Sequence, residues 1–196
     1  MIQINHRKLT FEEYLSYEDN TDNCYKLIDG ELIALSPESE PNTAIANYLF
    51  LVLVNAGIPW RPIKTHNCEI QVPILRSGDA ANRYPDLIIL TPEHIPLTAN
   101  RLTVTLDMPA PQLVVEVVSP GRIGRERDYE RKRDQYAACG IPEYWIIDPQ
   151  AQAVTVLRLD LGKYVEIGVF QNGDAICSSV FPELGLTVQQ VMSFGS

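Results

Sequence analysis

The sequence has no long apolar run. Its longest, YLFLVLV over residues 48–54, falls far short of the roughly 20 residues that a membrane-spanning helix needs. The first residues, MIQINHRKLTFEEY, lack the apolar core of a secretory signal. A soluble, cytoplasmic protein with no membrane partner is therefore expected. Paired cysteines are also missing: the four cysteines (Cys24, Cys68, Cys139, Cys177) are scattered and form no C-x-x-C. They read as free and structural. The three histidines (His6, His66, His94) show no zinc-binding spacing. An excess of positive charge is lacking too, since 16 Lys and Arg face 25 Asp and Glu for a net charge of −9. That excludes coating nucleic acid by bulk charge but leaves room for a local basic surface. What is present, 45% apolar and 21% charged residues in 196, suffices for one core, so residues 1–196 are expected to form one domain.

Thr10 and Glu13 stand in capping-box spacing before a short helix. YKLIDGELIAL reads as two strands about an Asp29-Gly30 turn. An apolar helix is expected from Asn42 to Gly57, and THNCEIQVPIL alternates as a strand does. YPDLIIL, PQLVVEVVS, EYWIIDP, AVTVLRL and KYVEIGVF are further strands, with one more after Asn172-Gly173. A helix is expected over 124–138, stopped by Cys139-Gly140, and a last helical turn near the C-terminus. Residues 92–111, rich in proline, read as a long surface connection. The sum is an α+β fold with an α/β/α-like core, a mixed sheet flanked by helices.

Two of these strands contain a carboxylate that apolar surroundings do not explain. Glu116 sits among Val114, Val115, Val117 and Val118, and Asp86 opens PDLIIL. An unpaired carboxylate taken out of water binds a proton, a cation or a metal instead. Alternation puts Glu116 on the face of Val114 and Val118, and Asp86 on that of Ile88 and Leu90. Two acids meeting on adjacent strands would require a positive charge between them, and oxygen ligands without His or Cys suit Mg²⁺ or Mn²⁺. Plain structural roles stay open, namely a turn cap for Asp86 and a buried arginine partner for Glu116. Glu69 shares a face with Gln71 and reads as solvent-facing. Trp145 and Asp148 read as core and turn residues. The run GRIGRERDYERKR reads either as a solvated helix face or as a basic surface.

The combination YPDLIIL, PQLVVEVVSPG and RDYERKRDQYAACGIPEYWIIDP, together with YKLIDGELIALSP, resembles the Uma2 (DUF820) family of the PD-(D/E)XK nuclease superfamily over residues 25–149. The resemblance implies a restriction endonuclease-like fold. Its PD falls on Pro85-Asp86 and its (D/E) on Glu116. The superfamily lysine would fall at Val118, a departure that the family's D-x-x-x-K offsets with Asp128 and Lys132 on the next helix, Gln135 lying nearby. Glu31 matches an early family glutamate. Asn42 departs from a histidine common in relatives.

What the resemblance implies is a metal-dependent endonuclease acting on nucleic acid, with DNA favoured. Asp86, Glu116 and the Val117 carbonyl would hold Mg²⁺ or Mn²⁺, and Lys132 and Glu31 would join the catalytic group. Asp128 and Gln135 would support it, and Arg122, Arg125 and Arg127 would hold phosphates. A homodimer suits the cutting of two strands. The competing expectation is a nuclease fold kept as a binding or scaffolding module, with Val118 marking a decayed site and Lys132 turned to solvent.

Overall fold

A computed structural model describes residues 8–19, 21, 23–119, 121 and 125–194. The chain opens with α1 (Phe11–Leu15), whose capping box joins Thr10 and Glu13 as their spacing predicts. Strands β1 (Tyr25–Ile28) and β2 (Glu31–Ala34) form a hairpin. Asp29 and Gly30 both take positive φ, 51° and 82°, the left-handed pair that a tight hairpin requires. Helix α2 (Glu40–Asn55) starts earlier than Asn42, because the Ser39 side chain accepts the Asn42 N–H and Pro41 fits the first turn.

The remaining elements build two sheets. In chain order they are β3 (Ile63–Thr65), β4 (Glu69–Gln71), β5 (Asn82–Arg83), β6 (Leu87–Ile89), α3 (His94–Leu97), β7 (Thr103–Val104) and β8 (Leu113–Val117). A π-helical turn (Arg127–Lys132) then runs into α4 (Arg133–Ala138). After it come β9 (Glu143–Asp148), β10 (Ala153–Asp160), β11 (Lys163–Gln171) and α5 (Val188–Met192). The main sheet has the order β11-β10-β9-β8-β6-β3, with only β8 and β9 parallel. A small sheet, β5-β4-β7, lies beside it.

Three expectations change. The 92–111 connection carries α3 and β7, and β7 pairs with β4. After Asn172-Gly173 there is no strand among the described residues, only a bridge between Ala175 and Thr187. The predicted 124–138 helix is π-helical over Arg127–Lys132, a wider turn of the kind often found at functional sites.

Strand alternation divides the core. Leu113, Val115 and Val117 face Ile45, Leu49 and Leu53 of α2. Val114 and Val118 face the other way, toward Ile88, Leu90, Tyr136 and Ile146. Glu116 takes the parity of the second set, so it points at the face that the π-turn and α4 cover. A one-residue register slip would turn it toward α2 instead.

Candidate active site

The pairing of β6 with β8 sets Leu87 opposite Val115 and Ile88 opposite Val114. Continuing that register one step sets Asp86 opposite Glu116. β3 pairs with β6 through Thr65 and Leu87, so the next position brings His66 beside Asp86. His66, Asp86 and Glu116 thus form a row across three neighbouring strands at one end of the sheet.

Glu116 is 1% exposed, and both its oxygens are engaged. Lys132 Nζ lies 2.7 Å from Oε2, and the Tyr136 hydroxyl donates to Oε1 at 2.6 Å. Lys132 Nζ also lies 2.8 Å from Asp128 Oδ1. Arg127 donates to both Asp128 oxygens at 3.1 and 3.2 Å. The π-turn buries Asp128 and Lys132 together, so this pair is not the solvated i,i+4 bridge that charge patterning also allowed. Asp86 accepts the Val117 N–H on Oδ2 at 2.6 Å and meets His66 Nδ1 with Oδ1 at 3.3 Å. Asn42 Nδ2 donates to the Val117 carbonyl at 3.4 Å, tying the first turn of α2 to this centre.

Burial pushes Glu116 up to about 7, Lys132 opposing it and the Asp86 charge adding to it. Burial also acts to raise Asp128, but Lys132 and Arg127 outweigh it and hold that carboxyl low. Lys132 is pulled down by burial, yet Glu116 and Asp128 keep it above its ordinary value. The hydrogen bond to Asp86 raises His66 against its desolvation. The result is a buried ammonium shared by two carboxylates beside a third.

These groups border a cleft of about 510 Å³. His66, Asp86, Glu116, Val117, Arg127 and Lys132 line it, joined by Lys26 and Arg83. Gln135 does not touch the acids. Its Oε1 accepts from Arg83 at 2.9 and 2.6 Å, and its Nε2 holds the Pro73 and Ala80 carbonyls. Arg125 pairs with Asp148 and lies 5.3 Å over the Tyr129 ring, away from the cleft lining. Glu31 is exposed at the start of β2 and also stands apart from that lining. Arg122 falls outside the described residues. Glu69 is buried rather than solvent-facing, because Asn82, Thr103 and Arg101 supply donors to it.

Sequence reasoning missed His66, Lys26 and Arg83. Their only sequence-level mark is polarity inside β-patterned segments, and only the tertiary packing of three separate sheets brings them to one cleft. His66 adopts φ 56°, and its buried Nε2 has no hydrogen-bond partner among the described residues.

The donor set suits a hard cation. Asp86, Glu116 and the Val117 carbonyl offer oxygens on one cleft wall, and each carboxylate oxygen keeps a second lone pair. Among the described residues no three His, Cys, Asp or Glu side chains converge closely enough to cage a metal. Mg²⁺ is commonly held by one or two carboxylates, with water and substrate phosphate completing its shell.

The fold is similar to that of a DUF820 protein from Anabaena variabilis ATCC 29413 whose crystal structure is described as that of a "putative nuclease". The two align with a TM-score of 0.68 and 22% identity over 96% of this chain and 99% of that one. No match among curated proteins was found. The Uma2 profile, described as "Putative restriction endonuclease", matches residues 11–189 and so spans both the cleft and the sheet that frames it. On that match, the chain belongs to the Uma2 family of restriction endonuclease-like proteins.

Proposed function

We propose that the protein is a Mg²⁺- or Mn²⁺-dependent endonuclease that hydrolyses phosphodiester bonds in DNA. One observation carries the reading. Lys132 is buried and reaches from the π-turn to Glu116, in the row that also holds Asp86. A lysine at 118 would share the face of Glu116, and Lys132 delivers an ammonium to that same face from the neighbouring element. The decayed-module alternative requires Lys132 turned to solvent, and its burial weighs against that reading.

Asp86, Glu116 and the Val117 carbonyl would hold the metal. When bound, it would polarise a phosphodiester oxygen and lower the pKa of a water. The chain's own groups do the rest. The Val117 N–H and His66 fix the Asp86 carboxylate, Tyr136 fixes Glu116, and Asp128 keeps Lys132 charged. Lys132 orients the attacking water and neutralises charge that develops on the phosphorus oxygens. Arg127 offers a guanidinium on the cleft wall to the phosphate backbone. The active form is a homodimer, which places two such centres for two strands.

The test is calorimetric titration of Mn²⁺ and Mg²⁺ into the wild type and Asp86→Ala, paired with plasmid cleavage with and without EDTA. Saturable binding that the variant loses, with cleavage that EDTA stops, is the expected result. Cleavage that persists in EDTA, or in the Asp86→Ala protein, overturns the reading.

A further inference from the structure

Of the four cations on the cleft wall, three have hydrogen-bonded or ionic partners. Lys132 is held by Glu116 and Asp128, Arg127 by Asp128 and Ser119, and Arg83 by the Gln135 amide oxygen. Lys26 differs. It projects from β1, is half-buried, and has neither an ion pair nor a side-chain hydrogen bond among the described residues. Taking an ammonium partly out of water beside other cations is unfavourable unless an anion arrives to compensate. Arg83, which lines the same clefts, adds a fixed charge that a neutral amide leaves unbalanced.

The position of Lys26 says where that anion comes from. Lys26, Arg83 and Arg127 line both the main cleft and a second cleft of about 400 Å³, which Glu126 and Arg131 border. The three cations therefore form a saddle between the acid centre and the second cleft. In a protein of net charge −9, this saddle is a local basic surface of the kind a polyanion requires. Evenly spaced negative charge leaving the acid centre is the chemistry of a nucleic-acid strand.

We infer that Lys26 seats a phosphate flanking the scissile one, on a strand that crosses the saddle from the acid centre into the second cleft. This rests on the nuclease reading. It shifts the flanking-phosphate contact from Arg125, which is tied to Asp148 outside the cleft lining, to a residue on the opposite, β1 side.

The experiment measures binding of a short fluorescein-labelled DNA duplex, its single strand and the corresponding RNA strand by anisotropy across salt concentrations. Ca²⁺ replaces Mg²⁺ to suppress cleavage. Wild type is compared with Lys26→Gln, Lys26→Arg and Lys163→Gln, the last an exposed lysine on β11 at the far edge of the sheet. One lost phosphate contact lowers the slope of log K against log salt by about 0.7 for a single strand and about 0.9 for a duplex. That loss is expected for Lys26→Gln, with the slope kept in Lys26→Arg and Lys163→Gln. Removing an unpaired ammonium should leave the melting temperature of Lys26→Gln equal to or above that of the wild type, so folding does not confound the result. If wild type binds but Lys26→Gln keeps the full slope, the Lys26 seat is wrong and the nuclease reading stands. If wild type binds none of the three probes, both fall.

Discussion

Two neighbouring parallel strands each bury a glutamate, and the two are solvated in opposite ways. Glu143 on β9 is 0% exposed and Glu116 on β8 is 1% exposed. Glu143 is surrounded by neutral donors. The Trp145 indole and Ser178 hydroxyl donate to Oε1 at 2.7 and 2.6 Å, and the Ser179 backbone and hydroxyl donate to Oε2 at 2.7 and 2.5 Å. Among the described residues none of its donors is an ammonium or guanidinium, and the carboxylate fastens the segment near residue 180 to the sheet. Glu116 instead has a shared ammonium and one phenol, with a second carboxylate beside it and a cleft in front. Burial of an acid therefore does not mark a site. The kind of donor does: neutral, immobile donors make a clasp, whereas a cation shared between acids leaves charge for chemistry.

The largest expected effect breaks this contrast at β8. Glu116→Gln keeps the side chain's shape and should lower DNA cleavage by about a thousandfold, read as initial plasmid-nicking rates. Its melting temperature should stay within a few degrees of the wild type. Cleavage near the wild-type rate would remove Glu116 from the reaction.

The converse change falls on β9. Glu143→Gln presents an amide NH₂ to donors that now have no acceptor, at a cost of about 3 kcal/mol. For a chain of this size that is a drop of roughly 6–12 °C in melting temperature, measured by calorimetry. Cleavage below the transition should be unchanged. A stable but inactive Glu143→Gln would erase the distinction between clasp and site.

The smallest effect concerns pH. Burial, then the charges of Lys132, Arg127 and Arg83, bring Lys26 down to about 8, with Glu116 opposing. The lysine is charged below that value and neutral above it. DNA affinity should therefore fall as pH rises through about 8, by roughly fivefold, and Lys26→Arg should flatten the profile. Stability moves the other way. Between about 8 and the ordinary lysine value the unfolded chain binds more protons, so the wild type gains stability with rising pH relative to Lys26→Gln. Equal pH profiles for wild type and Lys26→Arg would show that the ammonium is not a binding group.

Much of this was legible in the residues. Period-two alternation through LVVEVV and PDLIIL marked Asp86 and Glu116 as misplaced acids and fixed the face each one occupies, because side-chain direction in a strand follows parity alone. The Asp29-Gly30 turn and the Thr10–Glu13 cap were also local facts, settled by backbone sterics and one or two hydrogen bonds. The Asp128–Lys132 pair was readable as spacing, but its burial was not, since i,i+4 charge pairs usually lie in water. Glu69 and Glu143 give the same lesson from the other side. Whether a strand acid is a clasp, a catalyst or solvated depends on donors far away in sequence, such as Thr103 and Ser178, and no local pattern announces them.

Strand pairing and the packing of separate sheets decided the rest. His66, Asp86 and Glu116 stand in one row because β3, β6 and β8 are adjacent in a register set by the packing of their apolar faces. Lys26 and Arg83 reach the same cleft from elements outside the main sheet. The sequence by itself determined which side chains had to find a charge; the tertiary structure determined which charge each one found, because contacts between distant segments are chosen by the packing of the whole core.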